Sequence, residues 1–90
     1  MKETLKKFLK KKIVVDTKSS WIYIGTLEKI GGDTIELSDV DVHDSTDTHT
    51  TKEIYLLDSR KTGIKSNRDS VYISLDFIIS FSPLDDVKNF

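Results

Sequence analysis

The chain has 90 residues, of which 37% are hydrophobic, and its 14 basic residues nearly balance 15 acidic ones, for a net charge of −1. This length suits a single domain over residues 1–90 with a small core, and the even charge excludes a uniformly basic nucleic-acid coat. The lack of cysteine excludes a disulfide framework, a thiolate nucleophile and a cysteine zinc site. No apolar run approaches the roughly 18 residues of a membrane span, and no apolar stretch follows the basic start, so we expect a cytoplasmic protein without a membrane partner.

Charge is distributed unevenly along the chain. Residues 1–12 contain six lysines and one glutamate, a local charge of +5, whereas residues 33–47 contain six acidic residues and no lysine or arginine. A basic end and an acidic middle form a dipole that can steer charged partners toward one side of the molecule. The alternative interpretation is that both segments are merely solvated surfaces.

The first half of the chain predicts one helix and three strands. Leu5, Phe8 and Leu9 have the spacing of a helical stripe, which predicts a short helix over residues 2–11. The β-branched run after it predicts a strand at about 13–16. Alternating large residues predict a second strand at about 21–30, with Gly25 inside it as the mark of a bend or bulge.

A hairpin and a bulge are expected next. Gly31 and Gly32 form a tight-turn signal, and a third strand follows at about 33–42. Its inward-facing residues are expected to be Ile35, Leu37, Val40 and Val42. Because the alternation changes phase after Leu37, we expect a bulge near Ser38 and Asp39.

The second half predicts an inserted helix and two more strands. Residues 43–51 are polar, and Thr50-Thr51-Lys52-Glu53 matches a capping box, so we expect a helix at about 51–62 that ends at Gly63. A strand over residues 53–57 is the competing interpretation. Short strands are expected at about 71–74 and 78–82, joined by a brief turn and stopped by Pro83. The loop and helix together form an insertion at 43–70.

These residues carry a resemblance to a known family. The segments 13–15, 23–30 and 35–40, with Gly25-Thr26-Leu27 at their centre, resemble the first motif of the Sm-like (LSm, or bacterial host-factor Q-type) family. Residues 71–73 and 78–83 are similar to its paired final strands. Arg68-Asp69-Ser70 faintly resembles its Arg-Gly turn, although the glycine is absent. The resemblance implies a mainly β fold: a small, strongly bent, five-stranded antiparallel barrel with an N-terminal helix. The predicted extra helix would then lie in the loop between strands 3 and 4.

The same resemblance implies assembly. In Sm-like proteins the fourth strand of one protomer pairs with the fifth strand of the next, and repetition of this contact closes a ring. We therefore expect a homo-oligomeric ring of about five to seven copies. The apolar residues placed in or beside that seam are Val71, Ile73, Ile79 and Phe81. The alternative is that they fill only the core of the monomer.

A ring would also gather the basic helices on one face. Such a surface binds phosphate backbones, so we expect RNA or single-stranded nucleic acid as a partner. The candidate contact residues are Lys2, Lys6, Lys7, Lys10, Lys11 and Arg68. Trp21 and Tyr23 are expected in the core rather than as base-stacking platforms. The turn at 31–34 lacks the Asn that Sm-like proteins use to bind a base, which favours an alternative: a protein-interaction or assembly module that binds no nucleic acid.

Catalysis and metal binding have little support in the sequence. Asp39, Asp41 and His43 alternate along the third strand, and acidic and histidine residues follow, but no fixed metal-ligand spacing is present. Those following residues are Asp44, Asp47 and His49. We expect an acidic solvated edge there, no cofactor, and no enzymatic activity.

Overall fold

The computed structural model describes residues 1–46 and 51–88, and its framework is one five-stranded antiparallel sheet. The strands are β1 (Lys12–Thr17), β2 (Trp21–Ile30), β3 (Thr34–Asp44), β4 (Arg68–Ser74) and β5 (Ile78–Pro83), in the order β4-β3-β2-β1-β5. The helices are α1 (Lys2–Lys6) and α2 (Lys52–Thr62), and short 3₁₀ turns follow β4 and β5 at Leu75–Phe77 and Leu84–Asp86. Within the described ranges, no helix is long and apolar enough to cross a membrane.

The sheet wraps around a buried cluster, which we call the inner core. Each of the five strands contributes to it, through Ile13, Leu27, Ile35, Ile73 and Ile78. Leu5 of α1 covers the same cluster, and Phe8 packs its ring edge against Phe81 at 6.0 Å between centroids. A sheet whose every strand reaches one core must be strongly bent. The predicted fold class, a bent five-stranded barrel with an N-terminal helix and a helix between β3 and β4, is confirmed.

The N-terminal helix is shorter than the predicted span of 2–11. α1 ends at Lys6, and turns continue to Lys10, whose φ of 67° is incompatible with a right-handed helix. The chain leaves the helix because the Lys10 N–H donates to the Leu27 carbonyl at 2.7 Å, which ties this segment to β2. Leu5 is fully buried, but Leu9 is exposed, so the predicted apolar stripe is only partly used.

The predicted bulge in β3 is confirmed and lies opposite Gly25. Thr26 pairs with Ser38 and Ile24 pairs with Asp41, so Asp39 and Val40 together oppose Gly25. Asp39 takes a φ of 50°, which absorbs the extra residue. The phase change returns Val40 and Val42 to the inner side, as the alternation predicted.

The inserted helix covers the opposite side of the sheet. Leu56 of α2 packs with Val14, Ile22, Ile24 and Leu84, a second cluster that we call the outer core. Thr51 caps the helix by accepting from the Ile54 N–H at 3.2 Å, and Gly63 ends it with a φ of 94°. The helix interpretation is therefore right and the competing strand at 53–57 is wrong. Glu53 is the second helical residue, too early for the reciprocal bond of a capping box.

Three of the predicted boundaries need correction. β3 continues to Asp44 because its end pairs with the start of β2, where Trp21 opposes Asp44. β4 begins at Arg68 rather than at residue 71, because Arg68 and Ser70 pair with Val40 and Ser38 of β3. The segment between the two strands is therefore 45–67.

Candidate nucleic-acid interface

The basic segment at the N-terminus is held in place by apolar contacts and main-chain hydrogen bonds. Leu5 and Phe8 anchor it to the inner core, and the Leu27 N–H donates to the Lys11 carbonyl at 3.0 Å. These contacts leave all six lysine side chains of residues 1–12 on the exposed surface. The fold therefore presents the basic segment as an ordered patch on one end of the barrel, which we call the α1 face.

Two of the predicted phosphate-binding lysines are engaged in ion pairs. Lys6 Nζ lies 2.9 Å from Glu3 Oε1, and Lys10 Nζ lies 2.5 Å from Glu28 Oε1. Glu28 also accepts from Ser38 Oγ at 2.8 Å, and the hydrogen bonds from Lys10 and Ser38 hold the pKa of Glu28 below its usual value. Exposed pairs of this kind are worth only about 0.2–1 kcal/mol, so a phosphate can compete for these lysines.

The other lysines of the segment are available for an anion. Lys2, Lys7, Lys11 and Lys12 are exposed, and none forms an ion pair with a residue in 1–46 or 51–88. Lys2 and Lys6 line an open groove with the β2–β3 turn at Gly31 and Gly32. The α1 face and this turn therefore lie side by side.

The neighbouring turns are acidic. The Leu75 N–H donates to the Asp33 carbonyl at 2.8 Å, which joins the β2–β3 turn to the turn after β4. These two turns contribute Asp33 and Asp76, and Phe77 is their one partly exposed aromatic ring. Neither turn contains the Asn expected of a base-binding turn, so any phosphate contact must come from the lysines of the α1 face rather than from these turns.

Arg68 lies in a strand and not in a turn, so the resemblance to the Arg-Gly turn is wrong for this residue. It is the first residue of β4 and pairs with Val40, whereas Ser74, at the end of β4 that enters the turn, pairs with Thr34. Its Nη1 donates to the carbonyl of Asn67 at 2.9 Å. The arginine is therefore at the opposite end of β4 from the acidic turns.

The residues predicted at the subunit seam are divided between the core and the surface. Ile73 is buried, and Val71 and Phe81 pack against the inner core, whereas Ile79 has 65% of its surface exposed. On β4, Tyr72 is 67% exposed. β4 and β5 are the two outer strands of the sheet, and within 1–46 and 51–88 each pairs with only one neighbour.

Of the two aromatic residues expected in the core, only Tyr23 packs against the inner core. Trp21 is 44% exposed, so its prediction as a core residue is wrong.

The alternating Asp39, Asp41 and His43 do not together form a metal site. Asp39 is the bulge residue, Asp41 accepts from the Tyr55 hydroxyl at 2.6 Å, and His43 stacks on the Tyr55 ring at 3.8 Å between centroids. Burial, followed by the Asp41 carboxylate, raises the pKa of Tyr55, so the hydroxyl keeps its proton. No cluster of three metal-ligating side chains occurs in the part of the chain that the structure describes; Asp47 and His49 lie outside it.

Asn67 is a residue that the sequence reasoning missed. Its side-chain amide exchanges two hydrogen bonds with the main chain of Val42, each 3.0 Å long, and donates to Asp41 at 3.2 Å. It thus pins the end of the insertion to β3 just before β4 begins. Asn67 lies among other polar residues in the sequence, so no local pattern indicated this role.

Comparison with solved structures relates this architecture to known folds. The Sm protein of Pyrococcus abyssii, solved in complex with a uridine heptamer, superposes with a TM-score of 0.63 over 90% of this chain and 93% of that one, at 15% identity. This chain has an Sm-like fold. No protein-family model matches the sequence, and no curated protein does.

The Sm-like fold of this chain also resembles chains from two structures of the NatC complex. One complex is bound to CoA and the other to a Gag peptide and CoA. Each superposes with a TM-score of 0.56 at 12% identity over 86% of this chain, covering 79% and 86% of the respective partner chain. Likeness at this identity describes the fold alone.

Proposed function

We propose that the protein is a homo-oligomer that binds single-stranded RNA through its α1 face. The observation that carries the proposal is the cluster of exposed lysines, Lys2, Lys7, Lys11 and Lys12, with no ion-pair partner in 1–46 or 51–88. The likeness to an Sm protein in complex with a uridine heptamer supports RNA as the ligand. The two outer strands of the sheet support assembly, since exposed strand edges are sites for pairing with another chain.

Binding of this kind depends on charge and is independent of sequence. Lysine ammonium groups displace counterions from the phosphate backbone, so affinity falls as the salt concentration rises. Phosphate contacts position a strand without reading its bases. Assembly multiplies the lysines that one strand can reach, and the charge of +5 over residues 1–12, rather than the net charge of −1 per chain, is what the strand meets first.

The direct test is RNA binding by a charge-reversal pair on the α1 face. The double variant Lys7→Glu with Lys11→Glu is compared with wild type by fluorescence anisotropy on a labelled oligouridine, at low and at high salt. We expect the affinity at low salt to fall about tenfold or more, because favourable contacts become repulsive. Lys61→Glu with Lys65→Glu, the same charge change on exposed positions of the insertion, is the matched control and should bind within about twofold of wild type.

Two outcomes would refute RNA binding through the α1 face. If wild type does not bind oligouridine at low salt, RNA is not the ligand. Equal losses from the two double variants would show that overall charge, rather than the α1 face, drives binding.

The second candidate function is an assembly or protein-interaction module without a nucleic-acid ligand. It is favoured by the acidic turns at Asp33 and Asp76 beside the α1 face, which repel phosphate. The likeness to chains of the NatC complex is consistent with a role inside a protein assembly. An oligomeric wild type that binds no oligouridine at low salt would select this function.

A further inference from the structure

An open groove lies between the N-terminal segment and the end of β2, and we call it the α1 groove. Its volume is about 690 Å³, which is typical of binding sites on proteins. Leu9 and Ile30 supply its apolar surface, and Lys2, Lys6 and Lys29 are its basic lining residues. The α1 groove therefore combines uncovered aliphatic surface with positive charge.

The apolar surface of the α1 groove is held in place by the main chain. The Lys10 N–H donates to the Leu27 carbonyl at 2.7 Å, and the Leu27 N–H donates to the Lys11 carbonyl at 3.0 Å. These bonds fix to β2 the turn that carries Leu9, which is 39% exposed. Ile30 packs against the inner core and is partly exposed. Because two fixed aliphatic residues line one groove, they form an ordered apolar patch rather than scattered exposed side chains.

Positive charge surrounds this patch. Lys2 and Lys29 are exposed, and neither forms an ion pair with a residue in 1–46 or 51–88; Lys6 pairs with a glutamate that does not line the groove. Among the described lining residues, Glu28 is the one acidic residue, and Lys10 engages its carboxylate at 2.5 Å. Three lysines against one glutamate give the lining residues a net charge of +2. A ligand for this groove is therefore expected to be both anionic and apolar.

The composition of the lining favours a peptide over a nucleic acid. None of the described residues that line the groove is aromatic, whereas bases of single-stranded nucleic acid bind largely by stacking on aromatic rings. Phosphate groups are charged and hydrated, so covering Leu9 and Ile30 with them costs free energy. A peptide segment can instead place aliphatic side chains on that surface and carboxylates near Lys2 and Lys29 at the same time.

We propose that the α1 groove binds a short acidic segment of another protein, with aliphatic side chains on Leu9 and Ile30 and carboxylates beside Lys2 and Lys29. The inference goes beyond the proposed function, because it requires neither RNA nor a second copy of the chain. Lys2 is also one of the lysines proposed to contact RNA, so the two ligands would compete for part of the α1 face.

Peptide selection tests the α1 groove without assuming the identity of the partner. A random library of peptides about ten residues long, displayed on phage, is selected on immobilised wild type and, in parallel, on Leu9→Ser. Leu9 is exposed, so the substitution should preserve folding, which circular dichroism checks. We expect peptides that combine Asp or Glu with Leu, Ile or Met to be enriched on wild type but not on the variant, because serine removes aliphatic surface.

Variants then show which features of the groove bind the most enriched peptide, labelled with fluorescein and followed by anisotropy. Leu9→Ser should weaken binding about tenfold, because the aliphatic contact is lost. Lys2→Glu with Lys29→Glu should weaken it about tenfold or more, because attraction becomes repulsion. The same peptide with each Asp and Glu replaced by its amide should also bind more weakly to wild type, and its binding should depend less on salt.

Matched controls carry the same changes outside the groove. Ile54→Ser, at another exposed aliphatic residue, and Lys61→Glu with Lys65→Glu, at exposed positions of the insertion, should bind the peptide within about twofold of wild type. Losses equal to those of the groove variants would overturn the proposal, since binding would then follow overall apolarity or charge. It is overturned as well if no acidic peptide is enriched on wild type, or if Leu9→Ser enriches the same peptides.

Two further measurements identify the occupant and keep this inference apart from the proposed function. Leu9→Ser keeps every lysine, so it should bind labelled oligouridine within about twofold of wild type; a tenfold loss would assign the groove to RNA instead. Light scattering should give the same mass in solution for wild type and Leu9→Ser, and a smaller mass for the variant would make a second copy the occupant. If wild type binds no oligouridine while the peptide results are as expected, RNA binding is refuted and this inference stands.

Discussion

At Gly25 the backbone of β2 lies close to β3, opposite the bulge. A Cβ atom added there would lie 3.0 Å from the Ser38 carbonyl oxygen and 3.1 Å from Val40 Cγ2. The carbonyl belongs to a paired strand and cannot retreat without disturbing the bulge. Gly25→Ala should therefore lower the free energy of unfolding by about 1–3 kcal/mol, measured by chemical denaturation.

Gly32 in the β2–β3 turn is the matched control for that prediction. A Cβ at this position would meet nothing within 4 Å, and its φ lies outside the left-handed region. Gly32→Ala should leave stability unchanged or raise it by up to about 1 kcal/mol, because it restricts the unfolded chain. Equal losses from both substitutions would show that close approach at the bulge is not what requires Gly25.

Glu28 couples the α1 face to pH. Its pKa is lowered in the folded protein by the hydrogen bonds from Lys10 and Ser38, so its charged form stabilises the fold above its ordinary pKa and this contribution is lost as the pH falls. Glu28→Gln should melt at a lower temperature than wild type near neutral pH, and the difference should shrink as the pH falls below 4.5, the ordinary pKa of this carboxyl, and on through its lower value in the folded protein. A difference in melting temperature that stays constant over this range would contradict the coupling.

At the residue scale, the sequence predicted which side chains face inward better than it predicted which residues form ion pairs or lie opposite each other in the sheet. Val40 and Val42 were placed correctly because alternation and the change of phase are local properties. The pairing of Lys10 with Glu28 spans 18 positions, and the position of Arg68 depends on its register with Val40. Such relations follow from the tertiary fold, so charge counting alone overestimated how many lysines are unengaged.

At the scale of elements, α2 is held by a small apolar contact and a few polar ones. Leu56 is only 7% exposed in the outer core, whereas Ile54, two residues earlier, is 53% exposed. Leu56→Ala should cost about 2–3 kcal/mol of unfolding free energy, and Ile54→Ala should cost less than about 0.5 kcal/mol. The two aliphatic truncations are compared by urea denaturation; similar costs would mean that the helix docks through another face.

The polar contacts of α2 explain why its position was not predictable. Lys52 reaches Asp16 of β1 at 2.5 Å, and Arg60 donates to the Val87 carbonyl at 2.8 Å. The cap at Thr51 and the glycine at Gly63 are local signals, so the existence and limits of the helix could be predicted from sequence. Its docking surface is created by β1, β2 and the C-terminal segment, which only the folded sheet brings together.

α1 shows the opposite case, in which a local signal was overridden. Its lysine-rich sequence and apolar spacing favour about three helical turns, but only the first five residues are helical. The hydrogen bond between Lys10 and Leu27 and the packing of Phe8 on Phe81 fix the chain in turns instead. Tertiary contacts decide the length of so short a helix, because it has little stability of its own.

At the scale of the whole molecule, the two parts of the proposed function, assembly and RNA binding, make a joint prediction about salt. A single copy offers at most six lysines in residues 1–12, counting Lys6 and Lys10 when a phosphate displaces their ion pairs, so log-affinity should fall against log-salt with a slope of at most about 4 in magnitude. An RNA strand that crosses several copies contacts more lysines and gives a steeper slope. The Ile79→Asp variant keeps every lysine but places a charge at an exposed apolar residue of the predicted subunit seam, so it separates assembly from local charge.

We therefore expect wild type to bind labelled oligouridine with a slope steeper than about 4, and Ile79→Asp to bind more weakly with a slope at or below that value. Titration of both proteins across a series of salt concentrations, with the oligomeric state measured in each buffer, makes the comparison. Equal slopes from an oligomeric wild type and a monomeric variant would mean that each copy binds RNA by itself. In that case the ring would add nothing to the electrostatic contact, and assembly would need a separate explanation.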